Sequence, residues 1–133
     1  MEDISMIRVR YAETDQMGVV YYSNYFIWME VGRTNLLRNS GLSYKELENE
    51  GYALPVLKAY AEYLSSAYYD EQIIIKSRFK EIKGPKFTIE YEIYNTENTL
   101  LVKGYTEHVF ISKDTRKVIK PPKKFLELIK KEA

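Results

Sequence analysis

The residues best suited to chemistry lie in one segment, residues 11–33, which reads YAETDQMGVVYYSNYFIWMEVGR. It places the acidic residues Glu13 and Asp15 shortly before Gly18, and apolar residues at helical spacing follow directly. The start of a helix presents unpaired backbone N–H groups and a partial positive charge, which can polarise a carbonyl oxygen that develops negative charge. A carboxylate beside such a helix start could attack the carbonyl carbon. The same residues could instead form a plain turn, with Glu13, Thr14 and Asp15 as caps and Gly18 in a left-handed conformation.

Few other side chains in the sequence are suited to catalysis. It contains no cysteine, which excludes disulfides, thiolate catalysis and cysteine-ligated zinc. Its single histidine, His108, lies in GYTEHVF without a nucleophile elbow or clustered metal ligands around it. A Ser-His-Asp arrangement or a single metal bond stays open for His108, but a packing role is favoured. The phosphate-binding patterns GxGxxG and GxxxxGK are absent, so hydrolytic or acid–base chemistry falls on carboxylates, tyrosines and backbone dipoles.

The composition indicates one folded domain over residues 1–133. Of these residues 45% are hydrophobic and 29% charged, with 6 glycines and 4 prolines. The formal net charge of +1 creates no strong field for nucleic acid or an anionic membrane, so neither is expected as a partner. No apolar run has the length of a signal peptide core or of a membrane helix, which needs about 20 residues. We therefore expect a cytoplasmic protein without an integral membrane segment.

The elements that must position the acidic segment follow from the periodicity of apolar residues. Alternation in ISMIRVRYAE predicts a first strand. From Tyr22 onward, apolar residues recur three or four positions apart and predict a helix of about four turns that the residues Asn39-Ser40-Gly41 close. Ser43, with Glu46 three positions later, forms a capping box for a short second helix that ends near Gly51.

The remaining chain reads as strands. Turns at Tyr69-Asp70, Gly84-Pro85 and 95–98 have hairpin spacing, so sequential strands are expected to pair antiparallel as a meander. A short helix is expected after Pro122. This order predicts an α+β fold in which a curved antiparallel sheet wraps one long helix, although a cystatin-like sheet fits the same order. We expect strands such as KFTIEYEIY to lie exposed at a sheet edge, where a second subunit would cover them.

Residues 9–33, VRYAETDQMGVVYYSNYFIWMEVGR, resemble the signature of the 4-hydroxybenzoyl-CoA thioesterase family. That signature comprises an aromatic and an acidic residue, Thr-Asp, two variable residues, Gly-Val-Val, an aromatic stretch, Asn-Tyr, and an acidic residue and Arg on the helix. The later segments LPV, AYYDE and NTENTLLVKG agree mainly in strand order and turn chemistry. The resemblance implies the hotdog fold, a long central helix wrapped by five or six antiparallel strands. It also implies a homodimer or homotetramer whose subunits join their sheets edge to edge, with the active site at the dimer interface.

Carried over by position, the resemblance implies an acyl-CoA thioesterase whose catalytic acid is Asp15. This residue would act as a general base toward water or as a nucleophile on the thioester carbon. The backbone N–H near Tyr22 would polarise the thioester carbonyl, and Gly18 and Val19 would let the chain approach the acyl group closely. Some relatives carry His at the position of Tyr22, so the tyrosine side chain is expected only to contact the substrate. The reaction implied requires neither a metal nor an organic cofactor.

The turn Lys83-Gly84-Pro85-Lys86 matches the family's turn that meets the phosphates of CoA. Lys83 and Lys86 are therefore expected to bind acyl-CoA, with a solvated run of charge as the alternative. The nature of the acyl group stays open. The main rival function is a non-catalytic hotdog protein that binds acyl groups or interacts with the cell envelope. A carboxylate-based hydratase is disfavoured because the sequence lacks a recognisable Asp-His pairing.

Overall fold

The structure of the protein is a computed structural model that describes residues 2–132. After the first strand a single turn of 3₁₀ helix covers Tyr11–Glu13. The other elements, in chain order, are β1 (Glu2–Arg8), α1 (Asn24–Asn39), α2 (Tyr44–Asn49), β2 (Tyr52–Ala53), β3 (Val56–Tyr63), β4 (Gln72–Lys83), β5 (Lys86–Asn95), β6 (Leu100–Val109), β7 (Ile111–Ser112) and α3 (Lys123–Glu132). None of the described helices has the length and apolar character required to cross a membrane.

The main sheet has five strands in the order β1-β4-β5-β6-β3, and every neighbouring pair is antiparallel. The predicted meander is present in β4, β5 and β6. Pairing of sequential strands was wrong for β3, which pairs with β6 at the far edge rather than with β4. The connection between β3 and β4 instead passes the start of α1, where Ala67 donates its N–H to the hydroxyl of Tyr25 at 3.1 Å. This hydrogen bond anchors the long connection that crosses from β3 at one edge of the sheet to β4.

The segment KFTIEYEIY lies in β5, at the centre of the sheet, so its predicted position at an edge was wrong. Its alternate residues Phe87, Ile89, Tyr91 and Ile93 are buried against the helix side. Alternation reveals which face of a strand is buried but not whether the strand has one neighbour or two. The edges of the sheet are β1 and β3, and β3 is the more exposed, because every residue in it except Ala61 is exposed.

Helix α1 packs across the inner face of the sheet and buries Tyr25, Trp28, Met29, Gly32, Leu36 and Leu37. Gly32 lies against the side chains of Ser77 and Ile75, so a Cβ at this position would overlap them. This close approach explains a glycine inside a helix, where it otherwise destabilises. Asn35 donates to Ser5 Oγ at 2.9 Å and Asn39 donates to the Asp3 carboxylate, which ties the end of α1 to the start of β1.

The predicted caps and the terminal helix are present. Ser43 Oγ accepts a hydrogen bond from the N–H of Glu46 at 3.2 Å, so the predicted N-cap of α2 is confirmed. The Glu46 carboxylate accepts the hydroxyl of Ser43 at 3.3 Å, and among the described residues it does not accept the N–H of Ser43, so the capping box is only half formed. On α3, Phe125 is fully buried and contacts Phe87 and Phe110 edge-to-face. The first strand ends earlier than predicted, at Arg8, because the chain turns into the 3₁₀ helix that leads to the acidic segment.

Candidate active site

Residues 13–21 form a tight hairpin that ends at the start of α1. Tyr21 donates its N–H to the carbonyl of Glu13 at 2.9 Å, and Asp15 donates its N–H to the carbonyl of Val19 at 2.8 Å. Gly18 donates to the carbonyl of Asp15 at 3.1 Å and has φ of 81°, in the left-handed region that favours glycine. The turn that the sequence allowed is therefore present. It also fixes the backbone of Asp15 on both sides.

The carboxylate of Asp15 caps this turn with only one of its two oxygens. Oδ1 accepts hydrogen bonds from the N–H groups of Met17 at 2.7 Å and Val19 at 3.4 Å. Among the hydrogen bonds of residues 2–132, none involves Oδ2, and the residue is exposed. One oxygen thus holds the side chain in place while the other faces solvent. Capping and chemistry, which the sequence left as alternatives, are compatible in one carboxylate.

The start of α1 leaves backbone donors free beside the hairpin. The N-cap residue, Ser23, makes no side-chain capping bond. Asn24 and Tyr25 donate their N–H groups to the carbonyls of Tyr21 at 3.0 Å and Tyr22 at 3.3 Å. Within the described part of the chain, no backbone hydrogen bond uses the N–H of Tyr22 or of Ser23. These groups, at the positive end of the helix dipole, can donate hydrogen bonds to a developing oxyanion.

Glu13, which the sequence suggested only as a turn cap, is buried with 4% of its surface exposed. Its Oε1 accepts the N–H of Arg10 at 2.8 Å, and its Oε2 accepts the indole N–H of Trp28 at 2.8 Å. Its carbonyl accepts the side-chain amide of Asn24 at 2.9 Å in addition to the N–H of Tyr21. The sequence gives no sign that Glu13, rather than its neighbour Asp15, is the carboxylate that turns inward.

Tyrosine side chains surround the hairpin. Tyr22 meets Tyr21 at 4.8 Å and Tyr63 at 6.2 Å between ring centroids, and Tyr11 meets Tyr69 edge-to-face at 5.5 Å. A hydrogen bond with Tyr22 raises the pKa of Tyr21, and burial raises the pKa of Tyr63. Both phenols are therefore protonated at neutral pH and can donate hydrogen bonds but cannot serve as bases. Of the groups near the helix start, Asp15 is the one suited to take up a proton.

Lys83 and Lys86 lie at the opposite end of the sheet from Asp15 within one chain. Strand β4 begins beside the hairpin, where Val19 bridges Tyr68, and ends at Lys83. Its 12 residues span roughly 40 Å when fully extended. Both lysines are exposed on the turn between β4 and β5, where the ammonium group of Lys83 lies 3.9 Å from the carboxylate of Glu81. A single chain therefore does not bring these lysines to Asp15.

His108 is buried in β6 and hydrogen-bonds through both ring nitrogens. Nε2 lies 2.8 Å from the hydroxyl of Thr106, and Nδ1 lies 3.3 Å from the carbonyl of Leu54. Burial lowers the pKa of His108 to about 4, so the ring is neutral at neutral pH. The ring also stacks on Phe87 at 5.0 Å. These contacts describe a packing residue that is remote from the hairpin.

A cavity of about 300 Å³ lies beside His108, between α1, α2 and the sheet. Arg33, Leu37 and Leu54 contribute to its walls, and no residue of the hairpin does. Across residues 2–132, no group of three or more His, Cys, Asp or Glu side chains could hold a metal ion. The groups available for chemistry near the helix start are thus a carboxylate, neutral phenols and backbone N–H groups.

The sequence is similar to those of known thioesterases. The family model described as the thioesterase-like superfamily matches residues 9–129. The putative acyl-CoA thioesterase YneP of Bacillus subtilis is 39% identical over 119 residues, which cover 90% of this chain and 86% of that protein. The acyl-CoA thioester hydrolase YbgC of Escherichia coli O157:H7 is 36% identical over 95 residues, 71% of each chain.

The solved structure of the DHNA-CoA thioesterase from Staphylococcus aureus superposes with a TM-score of 0.94 at 34% identity. The similarity covers 98% of this chain and 90% of that one. The predicted α+β hotdog fold, a long helix wrapped by an antiparallel sheet, is thereby confirmed, and the cystatin-like alternative is excluded.

Proposed function

Because the chain belongs to the thioesterase-like superfamily, we propose that Asp15 drives hydrolysis of an acyl-CoA thioester to a free acid and CoA. The chain is an acyl-CoA thioester hydrolase, in line with relatives of that activity that match most of its length. The observation that supports Asp15 as the reacting group is the hairpin, which holds one carboxylate oxygen in a cap and leaves the other free. Placement in the narrower 4-hydroxybenzoyl-CoA thioesterase family is also a proposal, supported by the signature at residues 9–33.

The chemistry follows from the free groups at the helix start. The thioester carbonyl oxygen accepts a hydrogen bond from the N–H of Tyr22, and the dipole of α1 stabilises the negative charge that develops on this oxygen. In one route, the oxygen of a water molecule attacks the carbonyl carbon and its proton passes to Asp15 Oδ2. The C–S bond then breaks and the CoA thiolate takes that proton. In the other, Oδ2 attacks the carbon and the C–S bond breaks to release the CoA thiolate. Water then hydrolyses the resulting anhydride to the free acid and the Asp15 carboxylate, and the proton released protonates the thiolate.

Gly18 and Val19 support the same step. Gly18 is exposed and no atom would meet a Cβ at its position, so the hairpin is open to solvent on this side. An acyl group can therefore approach the backbone of the turn closely beside Asp15. No step in either route requires a metal or an organic cofactor, because the carboxylate supplies the base or the nucleophile and the backbone N–H stabilises the developing oxyanion.

We propose that a second copy of the chain completes the site. The edge strand β3 has no partner on its outer side within the described chain. If β3 pairs antiparallel with β3 of a second copy, the twofold axis reverses the partner sheet end for end. The β4–β5 turn of the partner then lies at the end of the joined sheet where Asp15 lies. Lys83 and Lys86 of the partner subunit can bind the CoA phosphates there. Two such dimers would form a homotetramer.

A panel of CoA thioesters tests this function directly. It should contain aromatic, short aliphatic and long aliphatic acyl groups, because the free site oxygen and N–H select the thioester and not the acyl group. Release of the CoA thiol is measured with a chromogenic thiol reagent. We expect turnover of at least one class, and we place the activity in the cytoplasm, where CoA thioesters are formed and used. Binding of panel members without thiol release from any of them would favour the non-catalytic acyl-binding alternative.

A further inference from the structure

We propose that Glu13 is a positioning residue that sets the distance between the carboxylate of Asp15 and the N–H of Tyr22. The inference rests on the proposed role of Asp15 in hydrolysis. Glu13 precedes Asp15 by two positions and does not face the solvent-exposed side of the hairpin. It can therefore influence the reaction only through the groups that it holds.

The carboxylate of Glu13 joins two separate parts of the chain. Its Oε1 accepts the N–H of Arg10, which precedes the 3₁₀ turn, at 2.8 Å. Its Oε2 accepts the indole N–H of Trp28, one turn into α1, at 2.8 Å. Both oxygens are occupied by donors of fixed geometry, and Trp28 itself is buried with 1% of its surface exposed. The side chain thus pins the incoming strand to the body of the helix.

The backbone of Glu13 joins the remaining parts. Its carbonyl accepts the N–H of Tyr21 on the opposite side of the hairpin and the side-chain amide of Asn24, each at 2.9 Å. Asn24 is the first residue of α1, and Tyr21 directly precedes Tyr22. One residue therefore fixes the hairpin that carries Asp15 and the helix start that carries the free N–H. A displacement of Glu13 would move these two groups relative to each other.

A carboxylate is a costly choice for this buried place. Desolvation of a charged group opposes folding unless every acceptor is paired, and an apolar side chain of similar volume often serves stability equally well. Among the residues that the structure describes, the one cationic side chain in ion-pair contact with Glu13 is that of Arg10, at 3.5 Å, and it is largely exposed. A carboxylate supplies two acceptor oxygens for two separate donors, and an aliphatic residue supplies none. The two acceptor oxygens of Glu13 thus hold the hairpin and the helix in a fixed geometry.

Glu13→Gln tests the inference because glutamine has one acceptor oxygen and one donor group. It can satisfy Arg10 or Trp28 but must turn an N–H toward the other donor. Misplacement of reacting groups by about 1 Å can cost roughly 100-fold in rate. We expect kcat to fall by at least about tenfold with KM within about twofold, since the groups that bind CoA are untouched. Trp28→Phe removes the opposing donor, so we expect kcat of the Glu13→Gln/Trp28→Phe protein to be about threefold above that of Glu13→Gln. It should stay below the wild-type value, because residue 13 no longer holds the helix.

The single tryptophan of the sequence gives a readout that does not depend on activity. Its emission, excited at a wavelength that tyrosine does not absorb, should shift in Glu13→Gln because the indole N–H loses its carboxylate partner. Glu71→Gln is the matched control. Its carboxylate accepts the N–H of Tyr68 at 2.7 Å in the neighbouring loop, and among the hydrogen bonds of residues 2–132 none joins it to Trp28. We expect this control to leave the emission unchanged and kcat within about twofold, as for a cap that glutamine can replace.

The outcomes separate this inference from the function on which it rests. If Trp28 emission shifts in Glu13→Gln while kcat stays within about twofold of wild type, the contact exists but does not position Asp15, and the inference is overturned. If Glu13→Gln is too unstable to assay, the double variant decides, because a kcat equal to that of wild type would equally overturn it. Full activity of Asp15→Asn would refute the proposed function, and the inference with it. Inactive Asp15→Asn beside fully active Glu13→Gln would refute the inference alone.

Discussion

At the scale of single residues, the two acids of the hairpin divide the work by the direction in which they point. The Glu13 side chain points inward, and each of its oxygens accepts a structural hydrogen bond. The Asp15 side chain points outward and keeps one oxygen free. The same local sequence therefore supplies an anchor and a reactive group. The signature at residues 9–33 and the left-handed Gly18 could be predicted from the sequence. The inward turn of Glu13 could not, because it depends on where Trp28 lies in the folded helix.

A residue-scale prediction concerns His108 and the pH dependence of stability. Its pKa is lowered by burial from 6.5 to about 4, so between these values the unfolded chain binds a proton that the folded chain does not. The free energy of unfolding should therefore fall as the pH drops through this window, by about 1 kcal/mol at about pH 5.5. Denaturant unfolding at about pH 7.5 and about pH 5.5 measures the difference in wild type and in His108→Gln.

The variant serves as the control because it differs from wild type only at position 108, so both proteins share every other ionisable group. His108→Gln should lose less stability than wild type between the two pH values, whatever its stability at neutral pH. An equal loss in the two proteins would show that His108 is not held neutral by the fold. It would then have to be considered again as an ionisable group.

At the scale of elements, the sequence predicted the helices, whose boundaries depend on neighbouring residues, better than the pairing of the strands. The apolar spacing after Tyr22 and the Ser43 cap gave α1 and α2, because helix boundaries depend on nearby residues. The partner of β3 and the central place of β5 could not be predicted in this way. Strand pairing is decided by contacts far apart in sequence, such as that between Ala67 and Tyr25 at the crossover. The polar inner face of β1 was also missed, since Asp3 and Ser5 are buried against asparagines of α1.

An element-scale prediction concerns the turn between β4 and β5. Replacement of both Lys83 and Lys86 by Gln should raise the KM for acyl-CoA by about tenfold and leave kcat within about twofold, because binding is lost equally in ground and transition states. Added salt should weaken substrate binding to wild type more than to this variant. Steady-state kinetics at low and moderate salt provide both measurements.

The matched control removes the same charge elsewhere. Lys76 and Lys103 lie on the outer face of the sheet, in a shallow cleft that contains no residue of the turn. Their joint replacement by Gln should leave KM near the wild-type value. Equal KM values for the turn variant and the parent at low salt would show that the turn does not bind CoA.

At the scale of the whole molecule, the predicted catalytic residue and the predicted CoA-binding turn lie far apart within one chain. The twofold symmetry of a dimer can bring the turn of one subunit close to the catalytic residue of the other. Asp15 and the lysine turn lie at opposite ends of the sheet, joined by the length of β4. The edge strand β3 carries exposed apolar side chains, among them Leu57, Tyr60 and Tyr63. An exposed apolar edge strand is an aggregation hazard unless another chain pairs with it. We therefore expect a dimer or tetramer at micromolar concentration.

Ala59→Pro tests this assembly. Leu64 donates its N–H inward, to the carbonyl of Leu101, so alternation along the strand turns the N–H of Ala59 outward. Proline at this place would remove an outward donor while leaving the inward ladder to β6 intact. We expect a folded monomer by sedimentation, with KM raised because the partner's lysines are lost and kcat lowered by at least about 100-fold because the site is misaligned. Ala59→Ser, which keeps the N–H, should remain assembled and active. A stable wild-type monomer with full activity would contradict the interfacial site.

The most direct test of the catalytic role of Asp15 is the rate of acyl-CoA hydrolysis by Asp15→Asn. Ligand affinity and thermal melting are measured on the same sample. The asparagine oxygen can still accept the N–H of Met17, so the fold and the turn should survive. Charge and basicity are lost, and turnover should fall by about 100-fold to 10,000-fold for a general base, or by more for a nucleophile. Substrate should bind at least as tightly as in wild type. A folded Asp15→Asn protein that hydrolyses acyl-CoA within about threefold of the wild-type rate, far short of the loss of a general base, would contradict the assignment and leave Asp15 as a turn cap.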